Sequence, residues 1–245
     1  MSATATSDAK PQAFPHTRWT IVLTAGRSDT PRTQAALAEL CQAYWYPLYA
    51  YVRRRGHSAA DAEDLTQGFF ARLLQLDSLA AVQREKGKFR SFLLGALNHY
   101  LADQWDRASA AKRDVRVTLP LDTETAETRY ARAPANTDTP ERLFERQWAL
   151  TLLETVVQRL HREYADAGKG DLFLALRFAI SGDKNAVPYT ELAARLAMSD
   201  EAVRVAVHRL RQRYRQLLRD EIAGTVADLG EVEDELRHLR RVLAS

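Results

Sequence analysis

A cluster of basic side chains near the C-terminal end is the clearest chemical signal in this sequence. Its members are Arg204, His208, Arg209, Arg211 and Arg213. The planar guanidinium group of arginine can pair with two acceptors of a guanine base or grip a phosphate. The cluster therefore indicates a nucleic-acid contact, and a solvated basic helix on an ordinary helical bundle is the alternative interpretation.

The residues around this cluster predict two helices that would position it. A first, short amphipathic helix covers Thr190–Leu196, and after a tight connection Ser199 is a favourable N-cap for a second helix. The inward apolar positions of the two helices are Leu192, Ala193, Leu196, Val203, Val207 and Leu210. Two helices in this order predict a helix-turn-helix, whose second helix can enter the DNA major groove.

Three more helices are predicted in the first half of the chain. An aromatic-rich helix ends at Gly56, and Ser58 then caps a second helix that runs to Leu73. The third helix runs from Phe89 to Arg107. The inward stripe of the second helix is Ala62, Leu65, Phe69 and Leu73, whereas Asp61, Glu63, Asp64 and Gln67 are left for solvent or a partner.

Composition and the positions of helix-breaking residues predict an all-α protein of two helical domains. The net charge of +3 is too small to identify a nucleic-acid binder by itself. No alternating run of β-branched residues predicts a sheet. The stretch 115–140 contains three prolines and no apolar period, so it predicts a flexible linker. The expected units are an N-terminal extension (1–32), a first domain (33–114), the linker (115–140), a second domain (141–222) and a helical tail (223–245).

The predicted tail has a pattern of its own. Its apolar residues Val232, Leu236, Leu239 and Val242 repeat at helical spacing, and acidic residues lie beside them. Packing within the chain is expected for such a helix. Covering the basic helix or binding a regulator are the alternatives.

The sequence has no arrangement typical of an enzyme or a metalloprotein. Its six histidines are scattered, and it has no glycine-rich phosphate loop and no nucleophile elbow. No catalytic residue, metal or cofactor is therefore expected. The lone Cys41 is predicted to be a buried small hydrophobe. No apolar run approaches the roughly 20 residues that span a bilayer, and residues 1–15 lack the apolar core of a secretory signal. A cytoplasmic protein without membrane insertion is expected.

Three segments of the chain resemble extracytoplasmic-function (group IV) sigma factors of bacterial RNA polymerase. Ala62–Phe70 is similar to the family pattern Ala-Glu-Asp-Leu-Val-Gln-Glu-Val-Phe, and Gly87–Leu93 is similar to Gly-x-Phe-Arg-x-Trp-Leu. The segment Tyr189–Leu217 resembles the family's promoter-recognition domain. The segments stand in the family's order, between about Ala35 and Leu218. The resemblance implies an alternative sigma factor that binds core RNA polymerase and directs it to promoters.

The resemblance also implies roles for particular residues. The face of Asp61, Glu63, Asp64 and Gln67 would dock on the β′ clamp of the polymerase, whose β flap is a second expected contact. The residues assigned to the minus-ten element are Arg84, Lys86, Lys88, Phe89, Arg90, Asn98 and Trp105, with cations on phosphates and rings on bases. The basic cluster is assigned to the minus-thirty-five element. Core packing of the rings and a bridge within the bundle for Asn98 are the plainer interpretations. The free protein is expected to be a monomer.

Three departures from the family pattern matter. Thr66 stands where the family usually has Val, Gly68 where it has Glu, and Ala197 where the turn usually has Gly. The first resembles a branch of the family in which a Ser/Thr kinase phosphorylates this threonine. Phosphate adds about two negative charges, so phosphorylated Thr66 would restore acidity for polymerase docking. A β-branched residue that replaces its isostere is the alternative interpretation.

Two other functions stay open at this point. A helix-turn-helix regulator that binds duplex DNA without core polymerase has no evident use for the acidic helix and the long linker. A sigma-like interaction protein would bind polymerase or an anti-sigma factor without promoter activity. Only the basic recognition helix argues against this second alternative.

Overall fold

The computed structural model describes residues 31–74, 88–108, 123–131, 139–181 and 188–244. Within these ranges every regular element is helical, which confirms the predicted all-α class. The helices are α1 (Pro31–Arg54), α2 (Ala59–Leu74), α3 (Phe89–Ala108), α4 (Thr123–Ala131), α5 (Pro140–Asp166), α6 (Gly170–Leu176), α7 (Phe178–Ser181), α8 (Tyr189–Leu196), α9 (Asp200–Ala223) and α10 (Val232–Ala244), with a 3-10 turn at Leu229–Glu231.

The predicted helix boundaries in the first half are close to the observed ones. Helix α1 ends just before Gly56, which has a φ of 96°, a left-handed conformation that favours glycine. Ser58 then caps α2, because its Oγ accepts a hydrogen bond from the Asp61 N–H at 3.1 Å. The hydroxyl of Ser58 donates in turn to the Asp61 carboxylate at 2.7 Å.

Helix α5 joins the two predicted domains into one packed body. With 27 residues it is about 40 Å long, so it can contribute to two cores. Its first half buries Phe144 and Trp148 in the core formed by α1, α2 and α3. Its second half buries Val156 and Leu160 against α6, α8 and α9. The Tyr51 and Phe144 rings meet edge to face, with centroids 6.5 Å apart. The two predicted domains therefore share α5, which contributes residues to both cores.

Part of the predicted linker is a docked helix. In α4, Ala126 is buried against the first core, and the Glu127 carboxylate accepts hydrogen bonds from the Tyr49 hydroxyl at 2.6 Å and from Arg53. The guanidinium of Arg129 lies over the Tyr46 ring, 4.1 Å from its centroid. The sequence offered no apolar period here because these contacts are polar or cation–π. Residues 115–122 and 132–138 lie outside the described residues.

The C-terminal helix packs inside the molecule, as the spacing of its apolar residues predicted. Leu236 and Leu239 of α10 are buried against α5 and α9. Ile222 at the end of α9 and the same two leucines belong to the first core rather than to the second. The tail therefore packs against both the first and the second predicted domain.

Two smaller expectations concern the core and membranes. Cys41 is buried, as predicted, and burial raises the pKa of its thiol to about 12. The thiol is therefore protonated at neutral pH and chemically unreactive.

None of the helices in the described ranges is both long enough and apolar enough to cross a membrane.

Candidate nucleic-acid and partner interfaces

Helix α2 presents an acidic face, where the sequence placed one. Asp61 and Asp64 are exposed, whereas Glu63 and Gln67 are half-buried. The Gln67 amide donates to the Glu63 carboxylate at 3.0 Å, one helical turn away. Four side chains of this helix anchor its opposite face in the core, namely Ala62, Phe69, Phe70 and Leu73. The helix therefore offers carboxylates on a rigid support, an arrangement suited to a basic partner surface.

The two departures from the family pattern within α2, Thr66 and Gly68, both lie at packed positions of the helix. Thr66 is 0% exposed, and its hydroxyl donates to the Ala62 carbonyl at 2.7 Å, one turn back along the helix. The hydroxyl is therefore out of reach of an enzyme unless α2 opens. Gly68 lies against the side chain of Tyr100 in α3, and a Cβ atom there would overlap the Tyr100 hydroxyl. Close approach of α3 explains a glycine in the middle of this helix.

The start of α3 holds three of the residues assigned to the minus-ten element, and their side chains are buried or half-buried. Phe89 is fully buried and packs edge to face on Tyr44, with ring centroids 5.1 Å apart. Arg90 is 7% exposed. Lys88 is half-buried. For Phe89, the structure therefore supports the plainer interpretation of core packing and not base stacking in this conformation.

A buried charge network accounts for the two cations. The carboxylate of Glu235 in α10, whose side chain is 1% exposed, lies 2.7 Å from Lys88 Nζ and 2.5 Å from Arg90 Nε. Arg90 also bonds Glu145 of α5, and the guanidinium lies over the Trp148 ring, 5.2 Å from its centroid. Burial alone would raise the pKa of Glu235, but the hydrogen bonds and charges of Arg90 and Lys88 outweigh it and lower that pKa. Glu235 is therefore an ionised, buried carboxylate.

The backbone and a histidine extend this network. The Phe89 N–H donates to the Thr225 carbonyl at 3.0 Å, so the first turn of α3 is tied to the segment that follows α9. His238 Nε2 lies 2.7 Å from the second oxygen of Glu145. The start of α3 is thus held by α5 on one side and by residues 225–238 on the other.

Farther along α3, two assigned residues have opposite surroundings. Asn98 is half-buried, and its Oδ1 accepts hydrogen bonds from the Tyr51 hydroxyl at 2.9 Å and from Arg55 at 2.8 Å. This is the bridge within the bundle that the sequence left open. Trp105 is 78% exposed, so its indole ring is available to stack on a base or a partner. Arg84 and Lys86 lie outside the described residues.

A cavity of about 270 Å³ opens between α2 and α3. Its walls combine rings and aliphatic groups with a charged rim, where Arg72 pairs with Asp103 at 2.9 Å. The lining residues are Phe69, Arg72, Leu73, Phe92, Ala96, His99, Tyr100 and Asp103. No residue assigned from the sequence lines this cavity.

Helices α8 and α9 meet through a short turn, as their sequence predicted. Ala197 adopts φ 50° and ψ 42°, and it is the non-glycine residue with positive φ within the described ranges. Ser199 caps α9 by accepting a hydrogen bond from the Ala202 N–H at 3.2 Å. The left-handed residue lets the chain reverse within a few positions, at a cost in backbone strain that glycine would avoid.

The basic cluster on α9 divides into exposed and engaged members. Arg204, His208 and Arg209 are exposed, and Arg204 lies over the Tyr189 ring at 5.2 Å. Arg211 is exposed but donates to the Ala179 carbonyl at 3.0 Å. Arg213 forms a two-pronged bond with Glu163 of α5, both contacts at 2.7 Å, and it lowers the pKa of that carboxyl. The exposed half of the cluster is the part suited to bases and phosphates.

Sequence reasoning missed the acidic partners of Lys88 and Arg90, the cations assigned to the minus-ten element. Glu235 lies three residues after Val232 and four before Leu239, so it falls inside the apolar stripe of α10 rather than beside it. That position was the available signal that Glu235 is inward and needs a buried cation. Sequence reasoning also missed Val205, which is 43% exposed on the otherwise polar surface of α9.

Among the described residues no three His, Cys, Asp or Glu side chains are grouped so that they could hold a metal ion. What the geometry does offer is an acidic helix face, a buried network in which Lys88 and Arg90 pair with Glu235, and an exposed basic helix. The exposed acidic and basic faces are arrangements suited to contacts with charged partners.

One family model matches part of this chain. Residues 40–111 match the family model for Sigma-70 region 2. The matched segment begins in α1, includes the whole of α2 and α3, and contains both the acidic face and the buried cations. The chain therefore contains a segment similar to sigma-70 region 2. Searches of curated proteins and of solved structures found no match to this chain.

Proposed function

We propose that this chain is an alternative sigma factor of the extracytoplasmic-function type, which recognises both promoter elements. The observation that carries the proposal is the acidic face of α2 within the region 2 match. Asp61, Glu63, Asp64 and Gln67 would contact the β′ clamp, where basic side chains would complement their charge. Such a role belongs in the cytoplasm, where the polymerase acts.

The second half of the proposal concerns the minus-thirty-five element. Helix α9 begins after a tight turn and carries exposed Arg204, His208 and Arg209 on its N-terminal half. In a helix-turn-helix this half of the second helix is the part that meets base edges. We propose that Arg204 and Arg209 contact bases or phosphates, and that Val205 packs on a thymine methyl group. Arg211 and Arg213 would serve mainly to fix α9 on its neighbours.

On the minus-ten side, Trp105 is the side chain whose exposure supports a role in base stacking. Lys88 and Arg90 have the charge for phosphate contacts, but Glu235 occupies them in this conformation. Contact of Lys88 and Arg90 with the minus-ten strand therefore requires that Glu235 first move away from them.

Phosphorylation of Thr66 is a conditional part of the proposal. Because the hydroxyl is buried and donates to the Ala62 carbonyl, a kinase could reach it only after α2 has opened locally. A phosphate with about two negative charges would then resist return to the core. We therefore place such a modification before polymerase docking, on a partly opened chain.

The experiment is run-off transcription with purified core RNA polymerase on DNA from upstream of the gene for this protein. A transcript that requires the protein, and that weakens in Arg209→Ala, supports the proposal. A transcript only with Thr66→Glu supports the phosphorylation gate. No transcript with either protein, together with duplex DNA binding in the absence of polymerase, would favour a helix-turn-helix regulator instead. Polymerase binding with no transcript would favour the sigma-like interaction protein.

A further inference from the structure

The contact between α10 and the start of α3 pairs an acidic helix with cations that the proposed function assigns to DNA. Both carboxylate oxygens of Glu235 are engaged, Oε1 by Arg90 Nε and Oε2 by Lys88 Nζ and Arg90 Nη2. A phosphate group presents two non-bridging oxygens in a similar way, and arginine binds carboxylate and phosphate through the same fork. The site formed by Lys88 and Arg90 is therefore an anion site with an intramolecular occupant.

We propose that α10 is an autoinhibitory latch, in which the Glu235 carboxylate takes the place of a promoter-strand phosphate on Lys88 and Arg90. The inference rests on the proposed function only for the identity of the competing anion, single-stranded DNA. Glu235 and a phosphate cannot occupy the two cations together. Binding of the strand at this site therefore requires that α10 leave it.

The latch is built from more than one contact. Leu236 and Leu239 hold α10 in the core, His238 bonds Glu145, and the Thr225 carbonyl accepts from the Phe89 N–H. These contacts come from one continuous segment, residues 225–239, so they would be released together. The same segment follows α9 directly. Release would therefore also free α9 from the first core, where Ile222 now lies.

This arrangement also bears on how the two promoter elements would be reached. Ile222, Leu236 and Leu239 keep the basic helix on the same body as α1–α3. A latch that opens on DNA would couple exposure of the minus-ten cations to movement of the minus-thirty-five helix. The closed form would keep the free protein from holding single-stranded DNA nonspecifically.

The test compares Glu235→Gln with Glu233→Gln by affinity for a mixed-sequence single-stranded DNA oligonucleotide. Both variants lose one negative charge from α10, but Glu233 is exposed and pairs with Arg219 at the surface. Glu235→Gln should bind roughly tenfold more tightly than wild type, the scale of a charge-assisted hydrogen bond. Its plot of log affinity against log salt should steepen by about 1.4, as two added phosphate contacts predict. Glu233→Gln should stay close to wild type.

Equal affinities and equal salt slopes for the two variants would overturn the latch and leave a permanent structural ion pair. A third variant, Glu235→Gln with Lys88→Gln and Arg90→Gln, should lose the gain. If the gain persists there, the anion site lies elsewhere and the proposal is wrong.

Hydrogen exchange on the unmodified chain covers the case in which Glu235→Gln fails to fold. Saturating single-stranded DNA should speed exchange of the α10 amides, while α8 and the middle of α5 keep their protection. Unchanged protection of α10 would overturn the latch. None of these measurements uses polymerase, so they separate the latch from the sigma function. A wild-type protein that supports transcription while Glu235→Gln gains no DNA affinity refutes only the latch.

Discussion

The two surfaces that the sequence assigned to DNA differ in how available their cations are. On α9, Arg204, His208 and Arg209 point to solvent. At the start of α3, Lys88 and Arg90 are occupied by a carboxylate from the far end of the chain. The residue types are alike, but one set is ready for a ligand and the other has an internal one. Charge in a motif therefore indicates what a site could bind, whereas packing decides when it is open.

The largest expected effect tests the covered site. Arg90→Gln removes a cation from a buried carboxylate, so we expect the free energy of unfolding to fall by about 3 kcal/mol. Arg213→Gln breaks a pair with Glu163 that is partly exposed, and should cost at most about 1 kcal/mol. Urea unfolding of both variants measures the difference. Equal losses would mean that the two arginines are not distinguished by burial.

The next effect tests the open site. Arg209→Ala should weaken binding of the polymerase complex to promoter duplex by about 1–3 kcal/mol, the worth of one bidentate base contact. The matched control is Arg213→Ala, four residues on, whose guanidinium is already held by Glu163. Fluorescence anisotropy with labelled promoter DNA measures both. A larger loss of DNA affinity for Arg213→Ala than for Arg209→Ala would contradict our assignment of Arg209, and not Arg213, to the DNA contact.

Gly68 and Ala197, the two departures from the family pattern that affect the backbone, are accommodated differently. Gly68 gives room to Tyr100, so Gly68→Ala should destabilise by about 1–2 kcal/mol through overpacking. Gly68→Ala in a Tyr100→Phe background removes the overlapping hydroxyl and should recover most of that loss, since alanine is the better helix former. Thermal unfolding of the single and double variants measures the recovery. No recovery would locate the clash elsewhere.

The smallest effect concerns the turn before α9. Ala197 is strained at φ 50°, so Ala197→Gly should stabilise the fold by about 0.5–1 kcal/mol after the added chain entropy of glycine is counted. Differential scanning calorimetry would detect the higher Tm. Ala194→Gly, inside α8, is the control and should destabilise instead. A lower Tm for Ala197→Gly would show that the turn is not strained.

Much of the local structure was predictable because it depends on residues close in sequence. The stop at Gly56, the caps at Ser58 and Ser199, and the inward positions Val203, Val207 and Leu210 were all expected and are all observed. The docked α4 was not expected. Its contacts join Glu127 to Tyr49 and Arg53, more than seventy positions away, and no local pattern records such pairs.

The sequence by itself determined an all-α chain, a capped acidic helix and a basic helix after a tight turn, because periodicity and capping are local properties. Only the tertiary structure decided that α5 joins two cores, that Thr66 is sealed and that Glu235 covers Lys88 and Arg90. Those outcomes depend on which distant surfaces bury one another. Burial changes what a charge can do: the same carboxylate is a solvated group on a helix face but a ligand for two cations inside the core.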